Sequence, residues 1–289
     1  MMYQTRDLER VCRNLATEIE DELTRVGVFF RIFYRVKTGE SVEKKIIHKG
    51  ENYYNGETKF LRDIIGIRVI FYFSDDLPLI YEHLKNYFEL IEETIDKNDE
   101  TKFAPTRGNL IFRLPEVFVK EFTDVTSNKI FDSTFEVQLR TILSEGWHEV
   151  DHDLRYKCVE DWRHSADIAR NFNGILATLE TSEYAILRLF EQLSNRHYKS
   201  KDIVALIRTK FRLRFANDNL SEELTKNLND ETIRDIHKLD RIEVINCLFK
   251  SGIIMPITME NLIYIINYNF IKNKELLKIT PEELLNELR

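Results

Sequence analysis

The chain is poor in the residues that bend, crosslink or anchor a polypeptide. Nine glycines and five prolines in 289 residues leave few tight turns and few helix breaks, so long helices and little disorder are expected. Three cysteines, Cys12, Cys158 and Cys247, are widely spaced, odd in number and in no CxxC pair. That argues against a disulfide framework or a cysteine-type zinc site and fits a reducing cytoplasm. No run approaches the roughly 18 uncharged apolar residues of a spanning helix, so no membrane partner is expected. The richest stretch, "NLIYIINYNF", is too short and too polar, and is expected to be the core of a small domain rather than an interface. The opening "MMYQTRDLERV" has no apolar signal core, so no secretory leader is expected. Positive charge is not in excess: 42 Lys and Arg stand against 49 Asp and Glu, a net charge of −7. Nothing global draws the chain to nucleic acid, and only a local basic patch stays open. Internal repeats and low-complexity linkers are also missing.

What is present describes a globular protein, 43% hydrophobic and 31% charged, long enough for one large domain or two modest ones. Leu8, Val11, Cys12, Leu15, Ile19 and Leu23 recur at helical spacing and predict an amphipathic opening helix. "VFFRIFYRVK" predicts a strand, "SVEKKIIHK" a short helix with Ser41 as N-cap, and "IIGIRVIFYF" a strand covered on both faces. "LPLIYEHLKNYF" is expected to be helical, "FELIEETI" and "NLIFRLP" to be strands, and a long helical region to run from about Ile142 to Leu193. The expected fold class is α+β: a mixed central sheet of about five strands flanked by helices in residues 1–195, then a mostly helical accessory domain in 196–289. In the second part "KSKDIVALIRTKFRLRF" is expected to be helix then strand, and "TPEELLNEL" a capping box with Thr280 as N-cap.

His148-Glu149-x-x-His152 matches the H-E-x-x-H pattern of zinc proteases. That chemistry needs a third protein ligand. The extended form requires glycine at 155 and histidine at 158, where the chain has Arg155 and Cys158. The zinc reading is therefore the weaker one.

Three other segments converge on phosphate chemistry. "TFEVQLRT" alternates, with Phe135, Val137 and Leu139 on one face and Glu136, Gln138 and Arg140 on the other. In "LRDIIGIRVIF", Asp63 sits at the mouth of a core strand and Arg68 within it, and charges at such places are costly unless paired or functional. Two carboxylates from separate strands can grip Mg²⁺, whose shell is completed by phosphates and water. In "RVKTGESVEKK", Arg35, Lys37, Lys44 and Lys45 surround Ser41 at a helix start, a cluster suited to a triphosphate.

In this order the segments resemble the synthetase domain of the RelA/SpoT-type alarmone synthetases. The family pattern is R-x-K…S…K, then D-x-x-G-x-R-V, then E-x-Q-x-R-T, then W-x-E-x-x-H-x-x-x-Y-K, and the likeness covers roughly residues 25–195. The resemblance implies a nucleotidyltransferase-like synthetase fold and a Mg²⁺-dependent transfer of the β,γ-pyrophosphate of ATP to the 3′-hydroxyl of an acceptor, usually GDP or GTP, giving (p)ppGpp. It implies that Asp63 and Glu136 are catalytic and hold the metal, with Glu136 also a candidate base. It implies that Arg35, Lys37, Ser41, Lys44, Lys45 and Arg68 hold ATP and its phosphates, and that Gln138, Arg140 and His152 lie on the acceptor side. Trp147, His152, Tyr156 and Lys157 would share one helix face.

The family's Y-x-S-x-H, whose tyrosine stacks on guanine, is replaced by "DETKFAPTRGNLIFRLPEVF". Phe103 as stacking ring and Arg107 as cation are one substitute; a frame with Asn109 near the tyrosine position is another. Three readings stay open: a (p)ppGpp synthetase; a member that modifies adenine nucleotides or the 3′ end of tRNA as a growth-arresting toxin or anti-phage effector; and a non-catalytic regulatory protein on the same fold. For the second, the basic stretch of Arg196, Lys199, Lys201, Arg208, Lys210, Arg212 and Arg214 would suit RNA backbone. No hydrolase domain is recognisable, so a synthetase-only chain is expected. The C-terminal helices would serve homo-oligomerisation or a regulatory or antitoxin partner.

Overall fold

The computed structural model describes residues 5–50, 53–95, 108–120 and 129–289. The chain forms two compact units, one of residues 1–20 and 30–181, the other of residues 21–29 and 182–289.

The first unit is built on helix α1 (Thr5–Val26) and strand β1 (Phe30–Val36), then α2 (Gly39–Lys49), β2 (Ile65–Phe71), α3 (Asp76–Tyr87), β3 (Leu90–Ile95), β4 (Gly108–Arg113), the short α4 (Glu116–Val119), β5 (Thr134–Thr141) and α5 (Ile142–Asp151). The five strands form one mixed sheet in the order β1-β2-β5-β4-β3. β2 and β5 run parallel at its centre, and the remaining pairs are antiparallel. The expected five-stranded α+β architecture is therefore present.

The alternation of β5 explains its place. Phe135, Val137 and Leu139 are at most 1% exposed, and Phe135 packs with Phe88 and Phe112, ring centroids 5.2–5.7 Å apart. Such aromatic trios anchor a sheet by area burial and edge geometry. Leu8, Val11, Cys12, Leu15 and Ile19 of α1 are buried as their spacing predicts. Cys12 Sγ lies 4.0 Å from the Gly66 carbonyl of β2, and burial pushes its thiol up to about 12, so it is an inert core group.

β5 passes into α5 without a loop. Thr141 caps the helix and Ser144 returns the bond to the cap, a reciprocal box that satisfies two otherwise orphaned amides. The helical stretch predicted over 142–193 is interrupted. A π-helical turn at His152–Tyr156 and the short α6 (Val159–Trp162) precede α7 (Ala166–Ser200). The Trp162 indole donates to the Leu154 carbonyl at 2.7 Å and stabilises this fold-back.

The second unit is helical. Leu262, Ile263, Tyr264, Ile265 and Ile266 of the apolar stretch are at most 6% exposed, as expected of core. Three local expectations are corrected. Thr38, not Ser41, caps α2, because its hydroxyl reaches the Ser41 amide at 3.3 Å. "FRLRF" is no strand: Arg212 turns left-handed at φ 48°, and Arg214 N then makes a bond of 2.6 Å to the Gly27 carbonyl. Gly27 itself has φ +82°, and a Cβ there would stand 2.8 Å from Arg214 O, so only glycine fits. Thr280 does not cap the last helix; its buried hydroxyl donates back to Leu276 O at 2.8 Å. No helix among the described residues is long and apolar enough to cross a membrane.

Candidate active site

The parallel pair β2 and β5 sets the site. Gly66 lies opposite Glu136 and Arg68 opposite Gln138, while β4 brings Ile111 and Asn109 beside the same two β5 residues. Asp63 lies just before β2. It borders one cleft of about 270 Å³ together with Glu136, Lys45, Asn109, Arg62 and Tyr54.

Two lysines converge on Asp63. Lys45 Nζ from α2 lies 2.6 Å from Oδ2, and Lys37, directly after β1, forms a short ion pair with the same oxygen. Burial pushes the Asp63 carboxyl up, but the two ammonium groups outweigh it and hold the acid below its ordinary value. Burial pulls Lys37 down. Lys45 is also pulled down by burial, yet the charge of Asp63 more than compensates and leaves it raised. Glu136 behaves oppositely: burial, then the negative charge of Asp63, push it up. Two neighbouring carboxyls with pKa values driven apart are the pattern of a metal-and-base pair.

The donor set fits a hard divalent cation. Asp63 Oδ1 is buried without a hydrogen-bond partner, a costly state for a carboxylate oxygen. Gln138 Nε2 donates to Glu136 Oε2 at 3.0 Å. Two carboxylates that repel each other across a cleft are the arrangement a bound Mg²⁺ would relieve, with phosphates and water completing its shell.

The remaining polar row is a relay. Gln138 Oε1 accepts from Arg68 Nε at 3.0 Å, and the Arg68 guanidinium pairs with Glu145 and Glu149 of α5. Burial disfavours its charge, but these two acids raise its pKa further above the ordinary arginine value. Arg140 is buried, donating to Leu139 O at 2.8 Å and to Asn109 Oδ1 at 2.9 Å.

The structure thus brings Asp63, Glu136, Lys37, Lys45, Arg68 and Gln138 into one polar cluster, with Arg140 beside it through Asn109. Three other candidates among the described residues stand apart from it. Lys44 is exposed and pairs with Glu40 one turn back at 2.6 Å. Ser41 is exposed and bonds to Thr38. Arg35 is exposed on β1. Phe103 and Arg107 lie outside the described residues.

The helix face expected of Trp147, His152, Tyr156 and Lys157 is split by the π turn. Trp147 is buried against Phe172 at 5.0 Å, while His152 and Tyr156 stack outside at 6.1 Å. His148 is buried beside Trp147 and His152 is exposed on Asp153, so the two imidazoles have different surroundings. Among the described residues no group of three or more His, Cys, Asp or Glu is set to hold a metal.

Sequence reasoning missed several neighbours. Arg62 is gripped by Asp132 at 2.8 Å and Glu92 at 2.5 Å. Tyr53, Tyr54 and Phe60 of the α2–β2 connection also line the cleft. The one available signal was the i, i+4 spacing of Glu145 and Glu149.

Comparison with known proteins bears on the first unit's fold and family. Residues 34–161 match the region found in RelA and SpoT proteins. GTP pyrophosphokinase YwaC of Bacillus subtilis is 27% identical over 128 residues, 44% of this chain and 58% of that protein; the chain therefore spans less than two thirds of that relative. A GTP pyrophosphokinase family protein from Streptococcus pneumoniae superposes with a TM-score of 0.50 at 17% identity, covering 63% of this chain and 88% of that one. Small alarmone synthetase 1 of Bacillus subtilis, solved with its product pppGpp, gives 0.51 at 15% identity, covering 64% and 93%. At these identities the likeness is one of fold.

Proposed function

Because residues 34–161 form a RelA/SpoT-type domain, we propose that the protein is a nucleotide pyrophosphokinase. It moves the β,γ-pyrophosphate of ATP to the 3′-hydroxyl of an acceptor nucleotide, with GDP and GTP as first candidates. The observation that carries this reading is the orphaned Oδ1 of Asp63 in the cleft that Glu136 also lines, with Lys37 and Lys45 paired to its other oxygen.

Asp63 and Glu136 would hold Mg²⁺, which when bound supplies neutralisation of the triphosphate charge. Lys37 and Lys45 bind and orient the phosphates, the main demand of phosphoryl-type transfer. The acceptor 3′-oxygen bonds to the β-phosphorus, the bond from that phosphorus to the α-bridging oxygen breaks, and AMP leaves. In this reading the hydroxyl proton passes to Glu136, which lines the cleft beside Asp63. Gln138 keeps Oε2 of Glu136 in place, and Arg68 holds Gln138 in turn.

The test is transfer of γ-labelled ATP to a panel of GDP, GTP, AMP, ADP and tRNA. Label in a guanine nucleotide, lost in Asp63→Asn and Glu136→Gln variants that still fold, supports the reading. Retained transfer in either variant sinks it.

A further inference from the structure

The cleft carries an aromatic wall that the chemistry of phosphate transfer does not explain. Tyr53, Tyr54 and Phe60 line it beside Lys45, Asp63 and Glu136. The tyrosine rings meet edge-on, 5.0 Å apart at 85°, and Tyr53 is 43% exposed. Cations sit against two of the rings: Lys49 Nζ is 5.7 Å from the Tyr53 centroid and Arg62 Cζ 5.6 Å from that of Phe60. Single exposed aromatics are ordinary, whereas three gathered along one polar cleft mark a place where a flat apolar ligand is received.

The connection that bears them is built, not slack. Asn55 Oδ1 accepts from the amides of Glu57, Thr58 and Lys59 at 2.9–3.0 Å. Gly56, at φ +70°, lies so near Lys129 that a Cβ would stand 2.4 Å from its carbonyl oxygen. Leu61 N donates to Ile130 O at 2.8 Å. The backbone at residues 55–61 is thus fixed ahead of any ligand, which lowers the ordering cost of binding.

Among the described residues that line the cleft, the aromatic ones all come from this connection; β4 supplies Asn109 and Ile111. We infer that Tyr53, Tyr54 and Phe60 seat the base of the acceptor, a free mononucleotide, by stacking. The inference rests on the pyrophosphokinase reading for the word acceptor. Stacking of a base on an aromatic ring needs no particular base edge, and the carboxylates of Asp63 and Glu136 line the same cleft. The cleft measures about 270 Å³, just below the usual range of ligand pockets, about 300–1,000 Å³. Three of the seven cations in the basic stretch that would grip RNA are engaged elsewhere: Lys201 pairs with Asp230, Arg208 with Asp218, and Arg212 is buried.

The test compares wild type with Tyr53→Leu, Phe60→Leu and the conservative Tyr53→Phe, all checked for folding by thermal melting. The probes are GDP, GTP, ADP and tRNA. Each leucine variant is expected to raise the acceptor KM about tenfold while KM for ATP moves less than twofold; Tyr53→Phe restores the wild-type value. An unchanged acceptor KM, or an increase confined to ATP, overturns the inference. Label entering tRNA alone overturns the mononucleotide assignment. Equilibrium dialysis of labelled GDP and ADP, with Mg²⁺ and a non-hydrolysable ATP analogue, separates the two claims. Nucleotide bound by wild type and released by the leucine variants, without any transfer, leaves the seat standing and removes the pyrophosphokinase reading. Transfer with unaltered nucleotide binding in the variants does the reverse.

Discussion

The two units handle charge in opposite ways. In the sheet unit, two lysines converge on one oxygen of Asp63 while its other oxygen is left bare in a buried cleft. In the helical unit, cations are matched outward, Lys201 to Asp230 and Arg208 to Asp218, each pair at least half exposed or nearly so, or turned to backbone, as Arg241 is to the Phe211 carbonyl at 2.8 Å. The first arrangement is expensive and has an unmet ligand demand; the exposed ion pairs of the second are close to neutral. Concentration of unsatisfied charge, not its abundance, is what distinguishes a site from a surface.

The sharpest break of this contrast is removal of the acids. Asp63→Asn or Glu136→Gln is expected to lower transfer by about a thousandfold with the fold retained, in a labelled-ATP assay beside calorimetry. Next come the lysines. Lys37→Ala and Lys45→Ala should cost about ten- to a hundredfold in kcat/KM for ATP, whereas Lys201→Ala and Arg208→Ala should leave kinetics within twofold and stability within about 1 kcal/mol. Equal kinetic losses in both pairs would erase the distinction.

A smaller effect is expected at Gly56. Alanine there meets both a left-handed φ and the Lys129 carbonyl, so denaturant melts should show a loss of about 1–3 kcal/mol. The smallest is in the helical unit. Burial, and then Lys210, lower the pKa of His237, which stacks on Tyr198 at 4.1 Å. The folded state therefore disfavours the protonated ring. Stability is present in full above the ordinary histidine pKa of about 6.5 and declines as pH falls through that value toward the lower folded pKa. A His237→Gln variant should flatten this slope in urea melts between pH 5 and 7.

Much of the sheet was legible because periodicity reports burial directly. The alternation of β5 and the apolar run of β2 needed no tertiary knowledge, and they carry Glu136, Gln138 and Arg68. Asp63 was legible as a charge at the mouth of a core strand. What escaped was set by distant partners. Arg62 meets Asp132 70 residues away, and the Tyr53–Phe60 connection is shaped by backbone at Lys129 and Ile130; an irregular connection has no periodicity to read. Lys44 and Lys45 are neighbours in sequence, yet 100° apart on a helix they face Glu40 and Asp63 respectively. The helix cap passed to Thr38 because two hydroxyls three residues apart offer equivalent local chemistry.

The central claim is that Asp63 and Glu136 share one divalent cation beside the triphosphate. Electron paramagnetic resonance titration of Mn²⁺, a Mg²⁺ surrogate, with a non-hydrolysable ATP analogue addresses it without turnover. Wild type should bind one ion per chain more tightly than the analogue alone does, and Asp63→Asn and Glu136→Gln should each abolish that gain. Undiminished Mn²⁺ binding in either folded variant would contradict the account.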